Sequence, residues 1–463
     1  MRILFIVYDN ESFIGTFPLG IAYLASSVCK AGHEVAIYNQ DVHHYSEDDL
    51  ADYLDQNKFD VIGVGVIAGY YQYQKLIKIS ETINNSKNRP SFYVIGGHGP
   101  SPEPEYFLMK TGADVVVMGE GEQTMVELLN AISDKKPFSQ VDGIAFRNGK
   151  QTTVNPNRTL TKDIDSIPWP AYDMFPIEYY RLMRLPHSTN RDFIMPVLSA
   201  RGCTFKCNFC YRMETGYRIR NAEAIVEEIK YLQKQYQITY IDFADELLMS
   251  SKNRVEELCR AFQKAKLKFK WYCNGRLNYA ETSILKLMKD SGCVFINYGI
   301  EAFDDEVLKS MNKALTTRQI LKGIETTLDA GISPGFNIIF GNIGDNEETL
   351  QKGVDFLLKH DNCAELRTIR PVTPYPGSPL YDHAITKGLL DGVDDFYNNK
   401  HINSDLLAVN FTHMSDSEFH KKLMEANITL LENYHKKILA KMVEVTRNLY
   451  LNKDTTFRGY RQT

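Results

Sequence analysis

The chain has 463 residues, 43% of them hydrophobic, and a formal net charge of −5 from 53 basic and 58 acidic side chains. That length supports roughly two or three domains, and the scattered basic residues leave no groove for nucleic acid. No apolar run, Val61 to Ala68 included, approaches the ~20 residues that span a bilayer, and Met1 leads into a buried-strand pattern without a signal peptide's cleavage site, so a cytoplasmic protein with no membrane span is expected.

Apolar runs and helix-period segments alternate from the N-terminus. Strands are predicted at Ile3–Val7, Val35–Tyr38, Val61–Val66, Tyr93–Ile95 and Val115–Met118, each followed by a helical stretch, the first over Leu19–Ala31. Such alternation calls for a parallel sheet covered on both faces. Five strands suit a flavodoxin-like doubly wound order, which binds ligands at the carboxyl ends of its strands. Glycines gather at those ends: Gly15, Gly69, Gly96, Gly97, Gly119 and Gly121. A glycine there lets backbone approach a ligand closely and accepts positive φ.

Between about 137 and 190 the alternation lapses. Asn148-Gly149, set between Ile144-Ala-Phe146 and Thr152-Thr-Val154, signals a hairpin. The Pro-rich run Ile167-Pro-Trp-Pro-Ala171 follows, and the whole stretch reads as a connector packed across two domains.

An apolar strand, Phe193–Leu198, then runs into Ser199-Ala-Arg-Gly-Cys203-Thr-Phe-Lys-Cys207-Asn-Phe-Cys210-Tyr-Arg212. Three thiolates on one short loop suit three irons of an iron–sulfur cube, which leaves the fourth iron open to a small chelating molecule. A structural zinc site would want a fourth Cys or His, usually in a second pair, and the chain has no such pair. The other cysteines, Cys29, Cys259, Cys273, Cys293 and Cys363, lie in apolar contexts and are expected in the core; a reducing cytosol argues against disulfides.

Alternation resumes after the loop. Strands are predicted at Tyr240–Phe243, Lys270–Cys273, Phe295–Ile300, Asn337–Phe340 and Leu366–Ile369, with helices near Ala222–Tyr236, Asn253–Ala265, Glu281–Lys289, Thr317–Ala330 and Glu347–Lys359. Polar residues cluster where the strands end: Asp245-Glu246, Asn274-Gly-Arg276, Gly299-Ile-Glu301, Gly341-Asn-Ile-Gly344 and Thr373-Pro-Tyr-Pro-Gly-Ser378. In β/α barrels chemistry belongs at those ends, although a structural ion pair on the rim gives the same pattern. Beyond Tyr381 the pattern turns helical, notably over Asp416–Tyr450. That helix either closes the barrel mouth or simply packs against the barrel.

The cysteine spacing, with Arg201-Gly202 before it and Phe209 and Tyr211 around its end, resembles the radical S-adenosylmethionine (radical SAM) superfamily. The six β-α units resemble its partial (β/α)₆ barrel. Pro18-Leu-Gly-Ile-Ala-Tyr-Leu-Ala25, Gly96-Gly-His-Gly-Pro-Ser101 and Gly119-Glu-Gly-Glu122 resemble the cobalamin-binding domain that precedes the barrel in one large subgroup, which includes class B methyltransferases. Ile167 to Asp173 is similar to that subgroup's linker, where its role is structural.

The resemblance implies a cobalamin-binding domain over residues 1–136, a linker over 137–190, a radical SAM core over 191–382 and a helical extension over 383–463. It implies a [4Fe–4S] cluster on Cys203, Cys207 and Cys210, with S-adenosylmethionine (SAM) on the open iron. Asp245 and Glu246 would then meet the SAM amino group, Glu301 its ribose and Arg276 its carboxylate. Cobalamin would lie against Gly96, Gly97, His98, Ser101, Gly119 and Gly121. The motif that supplies a histidine to cobalt is missing: Tyr8-Asp-Asn-Glu-Ser-Phe13 stands in its place, and Asp41-Val-His43 follows the wrong strand.

The implied activity is cleavage of SAM to a 5′-deoxyadenosyl radical and cobalamin-dependent methyl transfer to an unactivated carbon of a small-molecule or peptide substrate. A flavodoxin- or ferredoxin-type electron donor is implied as partner. The alternatives are a cyclase, oxidase or dehydratase of the same subgroup, with or without cobalamin, and a non-enzymatic metal-binding sensor.

Overall fold

The computed structural model describes residues 1–12, 15–149, 151–213 and 216–457. Phe13, the last residue of the stretch that departs from the cobalt-ligating motif, lies outside them. The first sheet is built from β1 (Arg2–Val7), β2 (Glu34–Asn39), β3 (Val61–Gly65), β4 (Phe92–Gly96) and β5 (Val115–Val117), paired in parallel in the order β2-β1-β3-β4-β5. β1 is almost wholly apolar because both faces of a parallel sheet are covered, and five of its six residues are buried.

The hairpin assigned to the connector belongs instead to this sheet. β6 (Ile144–Asn148) and β7 (Gln151–Val154) add to the β5 edge in antiparallel pairing. The Asn-Gly signal located the turn correctly, but local turn chemistry says nothing about which edge a hairpin joins.

One face of the first sheet packs on the helices Leu19–Lys30 and Gly121–Ser133 and on linker residues Tyr172, Phe175 and Tyr180, and this core is continuous with that of the second domain. The other face packs on the helices Glu47–Gln56, Tyr70–Asn85 and Pro104–Thr111. Tyr381, Leu390, Phe396, Tyr397 and Val409 join this second core. The first part of the C-terminal extension therefore caps the N-terminal domain, a long-range contact that helical periodicity cannot announce.

The second sheet starts at β8 (Ile194–Val197), which runs into a two-stranded ribbon of β9 (Ala200–Cys203) and β10 (Gly216–Ile219). It continues through β11 (Tyr240–Phe243), β12 (Lys270–Gly275), β13 (Cys293–Glu301), β14 (Ser333–Phe340) and β15 (Arg370–Pro371). All neighbours pair in parallel in the order β8-β11-β12-β13-β14-β15, a half barrel. The sixth strand was expected over Leu366–Ile369. It is only two residues long and lies just beyond, because Asn427 of the last helix takes the place of a neighbouring strand: its amide accepts from Ile369 N at 2.8 Å and donates to Ile369 O at 2.9 Å.

That helix, Asp416–Leu451, buries Phe419, Leu423, Ala426 and Leu430. Phe419 stacks on Phe340 with ring centroids 4.9 Å apart, so the helix flanks the open edge of the half barrel rather than covering its mouth. Cys259, Cys273, Cys293 and Cys363 are buried as expected, but Cys29 is exposed, on the outer side of its helix. Among the described residues no helix is long and apolar enough to cross a membrane.

Candidate functional site

The cysteine loop leaves β8 at the carboxyl end of the half barrel and is held from several directions by protein groups. Gly202 has φ +83, and a Cβ on it would lie 2.4 Å from the Gly216 carbonyl oxygen, so only glycine allows the ribbon to form there. Asn208, between the second and third cysteines, exchanges two amide hydrogen bonds with Asn342 at 3.0 and 3.1 Å. Its backbone N–H donates to Met311 O at 2.9 Å, and its carbonyl accepts from Leu380 N at 2.8 Å. Asn312 donates to Lys206 O at 2.7 Å. Asn208 and Asn342 lie in the cysteine loop and in a strand-end cluster noted above, but their pairing with each other has no signature along the chain.

Cys203 and Cys210 are half-buried and Cys207 is buried. A hydrogen bond from Cys210 and the nearby charges of Lys313 and Arg276 bring the Cys207 thiol down to about 6. Cys210, which holds that hydrogen bond, is pushed up, and burial raises Cys203. Ligation of iron requires thiolates, so a loop that places two cations beside its cysteines suits that task. Among the described residues no three His, Cys, Asp or Glu side chains gather around a point where a single metal ion would sit.

The strand-end residues divide into two groups. Asp245 accepts from Ser199 N at 2.6 Å and Ala200 N at 3.0 Å, and also from the Ser199 hydroxyl. Burial pushes it up to about 6 against those bonds. Its oxygens bond the start of the cysteine loop, so within the protein this carboxylate positions Ser199 and Ala200. Glu246 points the other way, exposed at the mouth, where its charge acts on Cys203 and is itself countered by Arg212.

Arg276 is also occupied. Its guanidinium lies 3.4 Å over the Phe205 ring, donates to the Lys313 carbonyl and reaches Cys207. It braces the cysteine loop, and its Nε also donates to Asn278 Oδ1 at 3.3 Å. Glu301 takes φ +70, in the left-handed region, at an irregularity in the β13–β14 register. A non-glycine residue held there is a mark of a functional position. Its carboxylate pairs with the buried Lys313 ammonium at 2.9 Å, and both charges act on Cys207 and Cys210. Beside them a Cβ on Gly299 would meet Glu301 Oε1 at 2.3 Å and Lys313 Nζ at 3.0 Å, so this glycine keeps the pair accessible from the lumen.

The glycine-rich loops of the first sheet come to the same place. Gly97 has φ +98, and a Cβ there would lie 2.4 Å from Val66 O. A Cβ on Gly96 would be 3.1 Å from Val117 O, and one on Gly121 would be 2.8 Å from Leu24 Cδ2. Ser101 Oγ donates to Gly97 O at 2.7 Å and accepts from Gly119 N at 3.3 Å. Ser101 thus ties the two loops together, and the three glycines are each pressed against a neighbouring strand or helix. Gly119 differs: φ is +74 and nothing lies within 4 Å of the position a Cβ would take. His98 is exposed, with its ring 6.2 Å from that of Tyr211 on the cysteine loop, edge to face. Asp41 accepts from Asn10 N at 2.8 Å and His43 stacks on Tyr45 at 4.8 Å, so this pair is engaged locally, as its place after the wrong strand suggested.

A buried ion cluster ties the two domains together. Arg201, two residues before the first cysteine, donates to Glu120 at 3.0 Å and Glu122 at 2.6 Å. Arg218 on β10 donates twice to Glu120, at 2.9 and 2.6 Å. The four side chains are only 9 to 14% exposed. The Gly119–Glu122 loop and the cysteine loop are thus fixed face to face.

Residues 197–357 match the radical SAM superfamily and residues 15–129 the B12 binding domain. An uncharacterized methyltransferase of Pyrococcus horikoshii is 29% identical over 401 residues, 84% of each chain. The anaerobic magnesium-protoporphyrin IX monomethyl ester cyclase of Rubrivivax gelatinosus is 28% identical over 399 residues, 82% of this chain and 69% of the cyclase. Among solved structures, the radical SAM methyltransferase TsrM of Kitasatospora setae, with cobalamin and a [4Fe–4S] cluster bound, superposes with a TM-score of 0.68 at 18% identity, over 83% of this chain and 75% of TsrM. That likeness shows a shared fold. The chain belongs to the radical SAM superfamily, in the subgroup whose barrel follows a B12-binding domain, and is an enzyme of [4Fe–4S], SAM and cobalamin chemistry.

Proposed function

We propose that the enzyme transfers a methyl group from SAM to an unactivated carbon, with the cluster on Cys203, Cys207 and Cys210 and cobalamin in the crevice beside Gly119 and His98. The observation that carries this reading is the Arg201–Glu120–Arg218 clamp, which fixes a three-cysteine loop opposite the open Gly119 position. The residues fit the groups: three thiols on a braced loop for the cluster, and open space beside Gly119, where nothing lies within 4 Å of a Cβ position. When bound, the cluster supplies an electron for reductive cleavage of SAM, and cobalamin carries the methyl group.

The chain's own residues position and shield. Lys313 and Arg276 favour the thiolate form of Cys207. Glu246 and Glu301 offer carboxylates to the amino and hydroxyl groups of SAM, Glu301 by way of an oxygen shared with Lys313. His98 stands at the crevice without ligating cobalt. The division we propose runs the cobalamin domain through the β7 strand, with the radical SAM core over 191–382 and the helical extension after it. A flavodoxin- or ferredoxin-type protein supplies the electron.

Anaerobically reconstituted protein, loaded with hydroxocobalamin and a strong reductant, should convert SAM to S-adenosylhomocysteine, at least one equivalent per bound corrin. Production of 5′-deoxyadenosine alone, with no corrin retained, would move the enzyme to the cyclase reading that the Rubrivivax relative represents.

A further inference from the structure

We propose that Asp242 anchors the substrate inside the half barrel, and that the substrate is a small polar molecule presenting N–H or O–H donors to it. This rests on the proposed function and adds the substrate's chemistry. Asp242 sits on β11 in register with Pro196 of β8 and Tyr272 of β12. Its chain neighbours Ile241 and Phe243 are fully buried among the outer helices. Side chains alternate across a strand, so Asp242 faces the lumen.

The carboxylate is half-buried, and among the described residues no protein group donates to it. The charges and dipoles that act on it are burial and the Asp245 carboxylate, which together push it up to about 7. The phenols on either side are committed elsewhere: Tyr240 donates to Pro186 O at 3.0 Å, and Tyr272 to Asn274 Oδ1 at 3.4 Å. Buried carboxyl groups ordinarily have partners. Asp245, three residues on, has three.

A chain of amides next to it points the same way. Asn274 Nδ2 donates to Asp245 O at 2.8 Å, Asn297 Nδ2 to Asn274 Oδ1 at 3.1 Å, and Asn337 Nδ2 to Asn297 Oδ1 at 3.0 Å. The Asp245 carbonyl can only accept, which fixes the orientation of the first amide and through it the other two. The chain therefore ends in an acceptor, Asn337 Oδ1, on an exposed residue of the lumen. Both unmatched groups, the Asp242 carboxylate and the Asn337 carbonyl, are acceptors. They stand three strands apart, about 14 Å along the curled sheet and less across it. A donor-rich molecule such as an amine, amide or polyol satisfies both. A purely apolar one would cover a half-buried carboxyl without pairing it, which costs free energy.

The probe is ethanolamine, which carries both donor types, with tetramethylammonium as the donor-free control. Each is titrated into SAM-loaded holoenzyme and followed by saturation-transfer NMR. Ethanolamine should bind the wild type and lose at least tenfold in affinity in Asp242→Ala and severalfold in Asn337→Ala, an exposed position at the end of the amide chain. Equal ethanolamine affinity in wild type and Asp242→Ala, no binding to the wild type, or equal affinity for tetramethylammonium would each overturn the proposal. Cluster absorbance and SAM affinity, measured on the same samples, report separately on the cofactor assignment: if they are lost in the wild type, the proposed function fails instead.

Discussion

Replacing Arg201 by alanine tests whether the two domains are held by buried charge. Arg201 is the donor to Glu122 at 2.6 Å, while Glu120 also receives two bonds from Arg218. Removing Arg201 therefore leaves Glu120 paired and strips Glu122 of this guanidinium. Breaking a buried pair from one side costs about 3–5 kcal/mol because the remaining charge stays desolvated. Glu122 retains 12% exposure and can turn toward water, so the lower end, about 3 kcal/mol, is expected. Arg218→Ala should cost less, since Glu120 keeps its bond to Arg201. The double variant Arg201→Ala/Glu122→Ala removes both charges and should recover about 1–2 kcal/mol relative to the sum of the singles. Urea unfolding of wild type, Arg201→Ala, Glu122→Ala and the double variant gives the coupling energy. Hydrogen exchange should quicken at residues 119–122 and 199–203 together, because one contact holds both loops. Additive costs in the double variant, or faster exchange in one loop alone, would refute the clamp.

Gly97→Ala should destabilise the protein, since the added Cβ meets Val66 O at 2.4 Å with φ at +98, whereas Gly119→Asn should leave the unfolding midpoint in place, because asparagine tolerates positive φ and the space is open, yet reduce retained corrin in the visible spectrum. Glu301→Gln should weaken SAM binding by about 1–3 kcal/mol, the usual range for a hydrogen bond to a charged group; calorimetry that found SAM affinity unchanged would reassign the residue. Replacing Cys203, Cys207 and Cys210 together by alanine should remove the brown chromophore and the roughly four irons per chain expected of a cube, and a full cluster in that variant would sink the ligand assignment. His401 is fully buried against Phe396 and Tyr375 with both ring nitrogens unpartnered, and burial lowers its pKa from 6.5 to about 4. The unfolded chain thus takes up a proton that the folded one refuses, and stability falls as pH drops from 6.5 toward 4 by ~3 kcal/mol, at about 1.4 kcal/mol per unit; in His401→Phe that slope in urea-melt stability should be absent.

The sequence made the architecture legible because its signals are local and periodic. Ala222–Tyr236 was placed to the residue, and the other barrel helices to within about a turn. The cysteine loop was legible because its chemistry depends on spacing along one stretch of chain. The roles at the strand ends were less so. Asp245 and Glu246 are adjacent carboxylates, and only the pleat separates the one bonded to Ser199 from the one exposed at the mouth. Gly97 and Gly119 read alike as glycines at strand ends, yet one is pressed on Val66 and the other faces open space. Asp242 sits inside a strand predicted from its apolar neighbours, and its isolation depends on what three other strands fail to supply. The docking of residues 379–411 on the N-terminal domain has no local signature at all.

The cysteine loop draws its supports from the carboxyl ends of different strands. Asp245 follows β11, Asn342 follows β14, Met311 follows β13, and Leu380 follows β15. A fifth support, Arg201, reaches across to the first domain. No one of these elements can place the loop alone, because together they hold three separate points of it: Asp245 holds Ser199, the first domain holds Arg201, and the other three hold Asn208. The loop reaches its geometry only when the half barrel has curled and the domains have docked, and the order of those contacts makes the iron site a property of the closed molecule. The same logic explains why the buried charges of the clamp are tolerated. Apolar residues of similar volume would bind the two surfaces at least as strongly, but they would not fix the angle between them, whereas two guanidinium forks on two carboxylates accept one arrangement. Chemistry that must pass between a cluster on one domain and a corrin on the other depends on that angle, so the interface gives up stability for registration.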